Sequence, residues 1–212
     1  MRYVGASVSG VVRAPVESVW DLVADPTRHP EIAGSGEVQA VTVPGGRMGP
    51  GVVFESQQYM RGLSYVTANR VVIWEPPYRI AWRVGFTFAP GVAQIWMFSL
   101  APEAGGTRIE NGVVLPYALP GVFPFSLLHR EIAGREISVI KPTFARLASV
   151  LGVAPPAELV ERYEAPAALA ALLPSPWLQG ALWAGLGAAL LGLLLLRLRR
   201  LARAAAGRVT GD

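Results

Sequence analysis

Two sets of residues in this sequence could do chemistry: bulky apolar side chains able to wall a binding site, and polar ones that alternate along extended segments. The first set is Phe54, Met60, Trp82, Phe86, Trp96, Phe98, Phe123 and Phe144. A pocket for an apolar molecule needs such walls and a few polar groups to orient the guest. Large apolar residues at strand and helix spacing also build plain core, so residue type alone leaves both readings open. In the second set, Glu55, Gln57 and Tyr59 alternate on one strand face and Tyr65, Thr67 and Asn69 on a face of the next, with Arg83 and Glu110 on later strands. Turned inward, these would form a constellation in which Arg83 forks onto a carboxylate or phosphate. Turned outward, they would be the solvated face of an antiparallel sheet. Arg83 and Tyr59 lead the polar pocket candidates.

Other chemistries find little support. His29 and His129 are the only histidines. One lies beside Pro30 in a short helix and the other near the start of a long one, so both read as surface or capping residues rather than acid/base groups. Without a cluster of His, Asp or Glu at ligand spacing, no metal is expected. The chain has no cysteine, which excludes disulfides, thiolate nucleophiles and cysteine-based metal sites. There is neither a glycine-rich phosphate loop nor a nucleophile elbow, and no cofactor is expected.

The elements that must position these residues are legible from periodicity. Ser7–Arg13 reads as a strand. Pro15 then opens a helix whose Val16, Val19, Trp20 and Val23 form an apolar stripe, with Glu17 suiting its N-terminus. Asp25-Pro26 ends it, and a short helix follows through His29-Pro30-Glu31 to about Gly34. Six strand-like runs come next: Glu37–Val43, Val52–Met60, Tyr65–Trp74, Arg79–Phe86, Val92–Leu100 and Thr107–Val114. The short Gly/Pro turns between them make neighbours antiparallel. Beyond a loop with Pro116, Pro120 and Pro124, a long helix spans Leu127–Leu151 and buries Ala133, Ile137, Ile140, Phe144, Leu147 and Leu151 on one face. Residues 153–176, rich in Ala and Pro, read as a spacer to the membrane with a short helix at Pro156–Leu173, outside the core.

The last segment is of a different kind. Twenty residues from Trp177 to Leu196 carry no charge, enough at about 1.5 Å each to cross roughly 30 Å of hydrocarbon. Past Leu196 stand Arg197, Arg199, Arg200, Arg203 and Arg208 against Asp212, which accounts for the whole formal charge of +4. Residues 1–196 are therefore neutral, which argues against nucleic acid as a partner and for a membrane surface beside the arginines. A transmembrane helix at 177–196 followed by a basic tail at 197–212 is expected. The positive-inside rule would put that tail in the cytoplasm. The lack of a signal peptide at the N-terminus argues instead for a single-pass tail anchor with the N-terminal domain cytoplasmic. Gly180, Ala184, Ala188 and Gly192 give the span a smooth face on which a homodimer could pair.

Several stretches also resemble a known family. VVRAPVESVWDLVADPTRHPEIAG, the Gly51–Phe54 strand entry, NRVVIWEPPYRIAWRV and IWMFSLAPEAGGTRIE are similar to the START-like, or SRPBCC, superfamily, in its polyketide cyclase/dehydrase and lipid-transport branch. The resemblance covers residues 4 to about 152. It implies an α+β helix-grip fold, a curved seven-stranded antiparallel sheet around the long helix, with a cavity between the two. On that expectation the domain (residues 1–152) takes a lipid-like or polyketide-like hydrophobic small molecule. The ligand-binding candidates are Phe54, Tyr59, Trp82, Arg83, Trp96, Phe98, Glu110 and Phe144. Two other readings stand beside this one. In a cyclase/dehydrase-type enzyme, Tyr59, Arg83 or Glu110 would polarise a carbonyl. In a protein-interaction membrane protein, the core would be filled.

Overall fold

The computed structural model describes residues 1–86 and 94–177. One antiparallel sheet holds β1 (Arg2–Val12), β2 (Val38–Thr42), β3 (Val53–Met60), β4 (Leu63–Glu75), β5 (Arg79–Phe86), β6 (Ile95–Glu103), β7 (Gly106–Leu119) and β8 (Val160–Arg162), in the order β2-β3-β4-β5-β6-β7-β1-β8. Helices α1 (Val16–Val23) and α2 (His29–Ile32), with a 3-10 turn at Pro26–Arg28 between them, and α3 (Phe125–Val150) pack on its inner face. A short α4 (Ala167–Ala170) lies on the other face. This is a helix-grip arrangement with eight strands where seven were expected.

The local signals act as their chemistry dictates. Pro15 caps α1 from outside, Glu17 sits in the first turn, and Val16, Val19, Trp20 and Val23 are all buried. On α3 the stripe of Ala133, Ile137, Ile140, Phe144 and Leu147 is buried as its spacing requires. β7 runs five residues past its expected end at Val114, through Pro116, which read as a loop signal. The register explains the difference: Gly5 pairs with Val114 but Tyr3 with Ala118, so a bulge on β7 carries Pro116 past the ladder positions that need an N–H.

The inner core fills only part of the space under the sheet. Trp20 meets Trp74 edge-on at 5.2 Å between centroids, and Val8, Ile80, Ile109, Phe144 and Leu147 close the same region. A second cluster lies on the outer face, where Tyr3, Ile95, Met97, Val114 and Ala118 surround the fully buried Leu169.

That outer cluster corrects the reading of residues 153–176 as a spacer. β8 pairs with β1, Lys141 Nζ lies 2.7 Å from Glu161 Oε1, and His129 Nε2 donates to the Tyr163 carbonyl at 2.9 Å. Val153 and Leu159 pack on the inner core, β8 extends the sheet edge, and from Ala165 the segment is a strap across the outer face of the sheet. Glycines make room for it: a Cβ on Gly112 would stand 2.5 Å from Pro166 Cγ, and one on Gly5 would stand 2.7 Å from the Ala165 Cβ. Composition hid this, since Ala and Pro suit a linker as well as a flat, closely packed strap. Among the described residues no helix is long and apolar enough to cross a membrane. Past Trp177, the expected span, its small-residue face and the basic tail lie outside the described residues.

Candidate functional site

Between the sheet and α3, toward the α2 side, lies a cavity of about 650 Å³. Strand alternation decides which residues reach it. On β3 the even-numbered Phe54, Ser56, Gln58 and Met60 face inward; on β4 the odd-numbered Tyr65, Thr67 and Asn69 do; on β5 and β6 Trp82, Val84, Trp96 and Phe98 do. The register locks these sets together, opposing Phe54 to Asn69, Ser56 to Thr67, and Trp82 to Trp96.

The floor is aromatic. Trp82 is central, with ring centroids 5.1 Å from His29, 6.1 Å from Phe98 and 6.2 Å from Phe54. Of the expected ligand-binding residues, Phe54, Trp82, Trp96 and Phe98 therefore stand in the cavity wall. Phe144 is 1% exposed and belongs to the filled core beyond it.

The expected polar residues divide: Tyr65, Thr67 and Asn69 face the cavity, and the others do not. Tyr59 is 51% exposed and shares the outer face of β3 with Glu55 and Gln57. Arg83 follows Trp82 and so points the opposite way, where its Nη2 donates to the Leu172 carbonyl at 3.1 Å. Glu110 alternates with the buried, inward Ile109 and Asn111, and so faces outward. Glu55 and Tyr65 never shared a face, because Glu55 pairs with Ala68 and Tyr65 with Gln58, and residues directly opposite in a ladder point the same way. Phe123, at 77% exposed, stands on the surface.

Residues that the sequence reading placed on the surface or passed over join Tyr65, Thr67 and Asn69 in the cavity lining. His29 is buried in the cavity wall rather than on the surface, and its Nε2 donates to the Val23 carbonyl at 3.0 Å. Burial pushes its pKa down, against smaller opposing effects of that hydrogen bond and of Asp25, and so favours the neutral ring. Glu136 projects from α3 into the cavity lining, and burial raises its carboxyl above the usual range, with nearby Glu37 adding to the rise and Arg135 opposing it. Tyr65 and Tyr117, also lining the cavity, are raised by burial first, then by Glu37 and Glu136 respectively.

Polar groups on β3 and β4 satisfy one another: Asn69 Nδ2 donates to Ser56 Oγ at 3.0 Å and to Thr67 Oγ1 at 3.2 Å. Asn111 differs. It is 5% exposed, lines the cavity from β7, and its Oδ1 has no hydrogen-bond partner among the described residues. A signal for it existed in the sequence, because position 111 interrupts an otherwise apolar inward face between Ile109 and Val113. No group of three or more His, Cys, Asp or Glu that could hold a metal exists among the described residues.

One end of the molecule is distinct. The C-terminal ends of β3, β5 and β7 and the N-terminal ends of β1, β4 and β6 meet there, by the antiparallel order. The half-exposed Met60, Gln94, Tyr117 and Glu136 bound the cavity at this end. Around it Leu63 (71% exposed), Val122, Phe123, Leu127 and Leu128 stand in the open. The strap arrives at the same place, since the Tyr3 hydroxyl donates to the Pro174 carbonyl.

Known structures share this architecture. A protein of unknown function from Staphylococcus aureus matches with a TM-score of 0.56 at 10% identity, over 71% of this chain and 94% of that one. A Nitrosomonas europaea protein matches with 0.54 at 18% identity, over 70% and 94%. One from Mycobacterium smegmatis matches with 0.52 at 15% identity, over 71% and 92%. At such identities the likeness is one of fold. No curated protein sequence matches the chain significantly. The family is settled by sequence: residues 4–152 match the model of one family along the whole helix-grip domain, and this chain is a member of the polyketide cyclase / dehydrase and lipid transport family.

Proposed function

We propose that this protein is a membrane-tethered binding module that takes a lipid-like hydrophobic molecule into the cavity between sheet and α3. The observation that carries the proposal is the cavity itself, about 650 Å³ with an aromatic floor of Phe54, Trp82 and Phe98. Burying apolar ligand area there is worth about 25 cal/mol per Å², enough to hold a molecule that offers no charge. A filled-core interaction protein would not keep such a space.

The strap and the sequence together support the tether. Only Ser175 and Pro176 separate the docked Pro174 from Trp177, where the uncharged run begins. A span starting there would hold the apolar rim and the cavity mouth against the bilayer, where hydrophobic ligands dissolve. The enzymatic alternative loses the three groups named for it, since Tyr59, Arg83 and Glu110 all turn away from the cavity. Mass spectrometry of the full chain released from its native membrane tests the proposal. A lipid or polyketide-like mass retained by the protein, and lost on Trp82→Asp, is the expected result. An empty protein that also takes up nothing from a lipid panel would overturn it.

A further inference from the structure

We infer that the guest lies head-in: a neutral polar head that both donates and accepts hydrogen bonds sits at the closed end of the cavity beside His29 and Asn111, and its apolar tail runs out toward the mouth. The inference rests on the binding-module reading and deepens it, from any hydrophobic molecule to an orientation and a class of head group. Burial along β3 marks the two ends, since the inward Phe54 and Ser56 are buried while Gln58 and Met60 are half-exposed. At about 3.3 Å per residue, Phe54 lies roughly 20 Å from Met60. His29 stands at the Phe54 end, its ring centroid 6.3 Å from that of Phe54 and 5.1 Å from that of Trp82. Asn111 enters the same half from β7, opposite Phe98, whose ring is 6.1 Å from Trp82.

Each of these two residues offers the cavity one polar atom that nothing in the protein engages. His29 is 7% exposed and commits Nε2 to the Val23 carbonyl. A carbonyl only accepts, so the proton sits on Nε2, and in the neutral ring that burial favours Nδ1 is a bare acceptor. Asn111 is 5% exposed; its Oδ1 is sealed in the wall beyond a guest's reach, which leaves Nδ2 as the group it presents, a donor. Among the described residues neither His29 Nδ1 nor Asn111 Nδ2 has a hydrogen-bond partner, and neither is sealed as Oδ1 is, so both open on the cavity that their residues line. Buried polar atoms are almost always bonded. A tail laid at this end would strip water from both atoms and return nothing, whereas a hydroxyl or a carboxamide has a donor for Nδ1 and an acceptor for Nδ2. A head at the mouth gains less, because Tyr65, Tyr117 and Glu136 are half-exposed and already reach water. The charged lining residues, Glu37, Arg135 and Glu136, are half-exposed or exposed, so an ionised head at the closed end would be desolvated without a counter-charge.

The test uses the full chain in lipid nanodiscs and two photoreactive forms of dodecanamide, one with a diazirine beside the carboxamide and one with it near the chain end. Fragment mass spectrometry locates the labelled residues. The first probe should mark the closed end, at Ile32, Phe54 or Trp82, and the second the mouth, at Met60, Tyr117 or Glu136. His29→Phe keeps an aromatic ring without the acceptor, and Asn111→Leu removes the donor. Each should lower capture of dodecanamide about tenfold, the discrimination expected when a buried hydrogen bond is made or left bare, while capture of a diazirine-bearing dodecane stays within about twofold. The reversed labelling pattern, amide capture that neither variant lowers, or better capture of the matching dodecanoate overturns the inference and leaves the binding module standing. Capture of neither amide, dodecanoate nor dodecane by folded protein removes the binding-module reading and this inference together.

Discussion

Arg83 donates through Nη2 to the carbonyl oxygen of Leu172 at 3.1 Å, on the face of the sheet opposite the one its neighbour Trp82 presents to the cavity. Two adjacent residues of β5 thus serve different structures: Trp82 the floor of the binding space, Arg83 the strap that leads toward the predicted span. Period-two alternation makes this separation unavoidable once the register is fixed.

The pair gives a direct contrast. Trp82→Asp places a charge on the aromatic floor and should abolish ligand retention. Arg83→Met keeps the apolar stem, loses one bond to the strap, and should leave retention within about twofold. Mass spectrometry of extracted protein reads both. A loss of ligand on Arg83→Met would mean that the guanidinium reaches the cavity after all.

Leu169 tests whether the strap contributes to the fold. Its side chain is fully buried against Tyr3, Met97 and Val114, so Leu169→Ala should cost about 3 kcal/mol in denaturant unfolding of the full chain in mild detergent. Gly112→Val should also destabilise, because its Cβ would drive into Pro166. Unchanged stability in both variants would mean the strap is a passive linker.

These placements show how far the sequence could be read. Element order, the stripes on α1 and α3 and the membership of Phe54, Trp82, Trp96 and Phe98 in the wall follow from periodicity and pattern, because packing enforces both. The polar residues followed only in part, Tyr65, Thr67 and Asn69 inward but Glu55, Gln57, Tyr59, Arg83 and Glu110 not, since face assignment depends on register, and a single bulge such as the one between Val71 and Ile73 reverses parity along a strand. His29 looked like a surface residue because Pro30 and Glu31 flank it, yet the short α2 turns it under the sheet. The strap was hidden for a different reason: β8 is three residues long and carries no alternation to detect.

His29 makes a pH prediction. Its folded pKa lies below the ordinary 6.5 through burial, so the unfolded chain binds the proton more readily. Stability from this group is present above that value and is lost as pH falls through and below it. Phe54 and Trp82 pack on the ring and Asp25 is the charge that acts on it, while Glu136, raised by burial, shifts stability the opposite way as it protonates. The comparison with His29→Gln, which can still donate to the Val23 carbonyl, isolates the histidine. The difference in melting temperature between wild type and variant should narrow or reverse from pH 7.5 to pH 5.5, about one unit either side of the reference value. A constant difference would place the imidazole in contact with water.

The apolar rim yields the last prediction. Phe123, Leu127 and Leu63 are exposed at the end where the strap delivers Trp177, whereas the β6–β7 turn at Ala104 lies at the opposite end of the sheet. Apolar residues gathered at one end are disfavoured in water and favoured in the headgroup and upper acyl region of a bilayer. Because the chain has no cysteine, single cysteines can carry a fluorophore without background. In full-length protein reconstituted into vesicles, a label at Phe123→Cys or Leu127→Cys should shift to the blue and be quenched by lipids with a nitroxide near the headgroup. A label at Ala104→Cys should show neither effect. If the protein floats with the vesicles but Phe123 stays wet, the span holds and the rim does not dock, so the cavity must load from solution. If the protein does not float, the anchor is absent and the apolar rim needs another partner. Quenching at Phe123 alone would turn the mouth bounded by Met60, Tyr117 and Glu136 toward the bilayer, and a ligand could then enter the cavity without crossing bulk water.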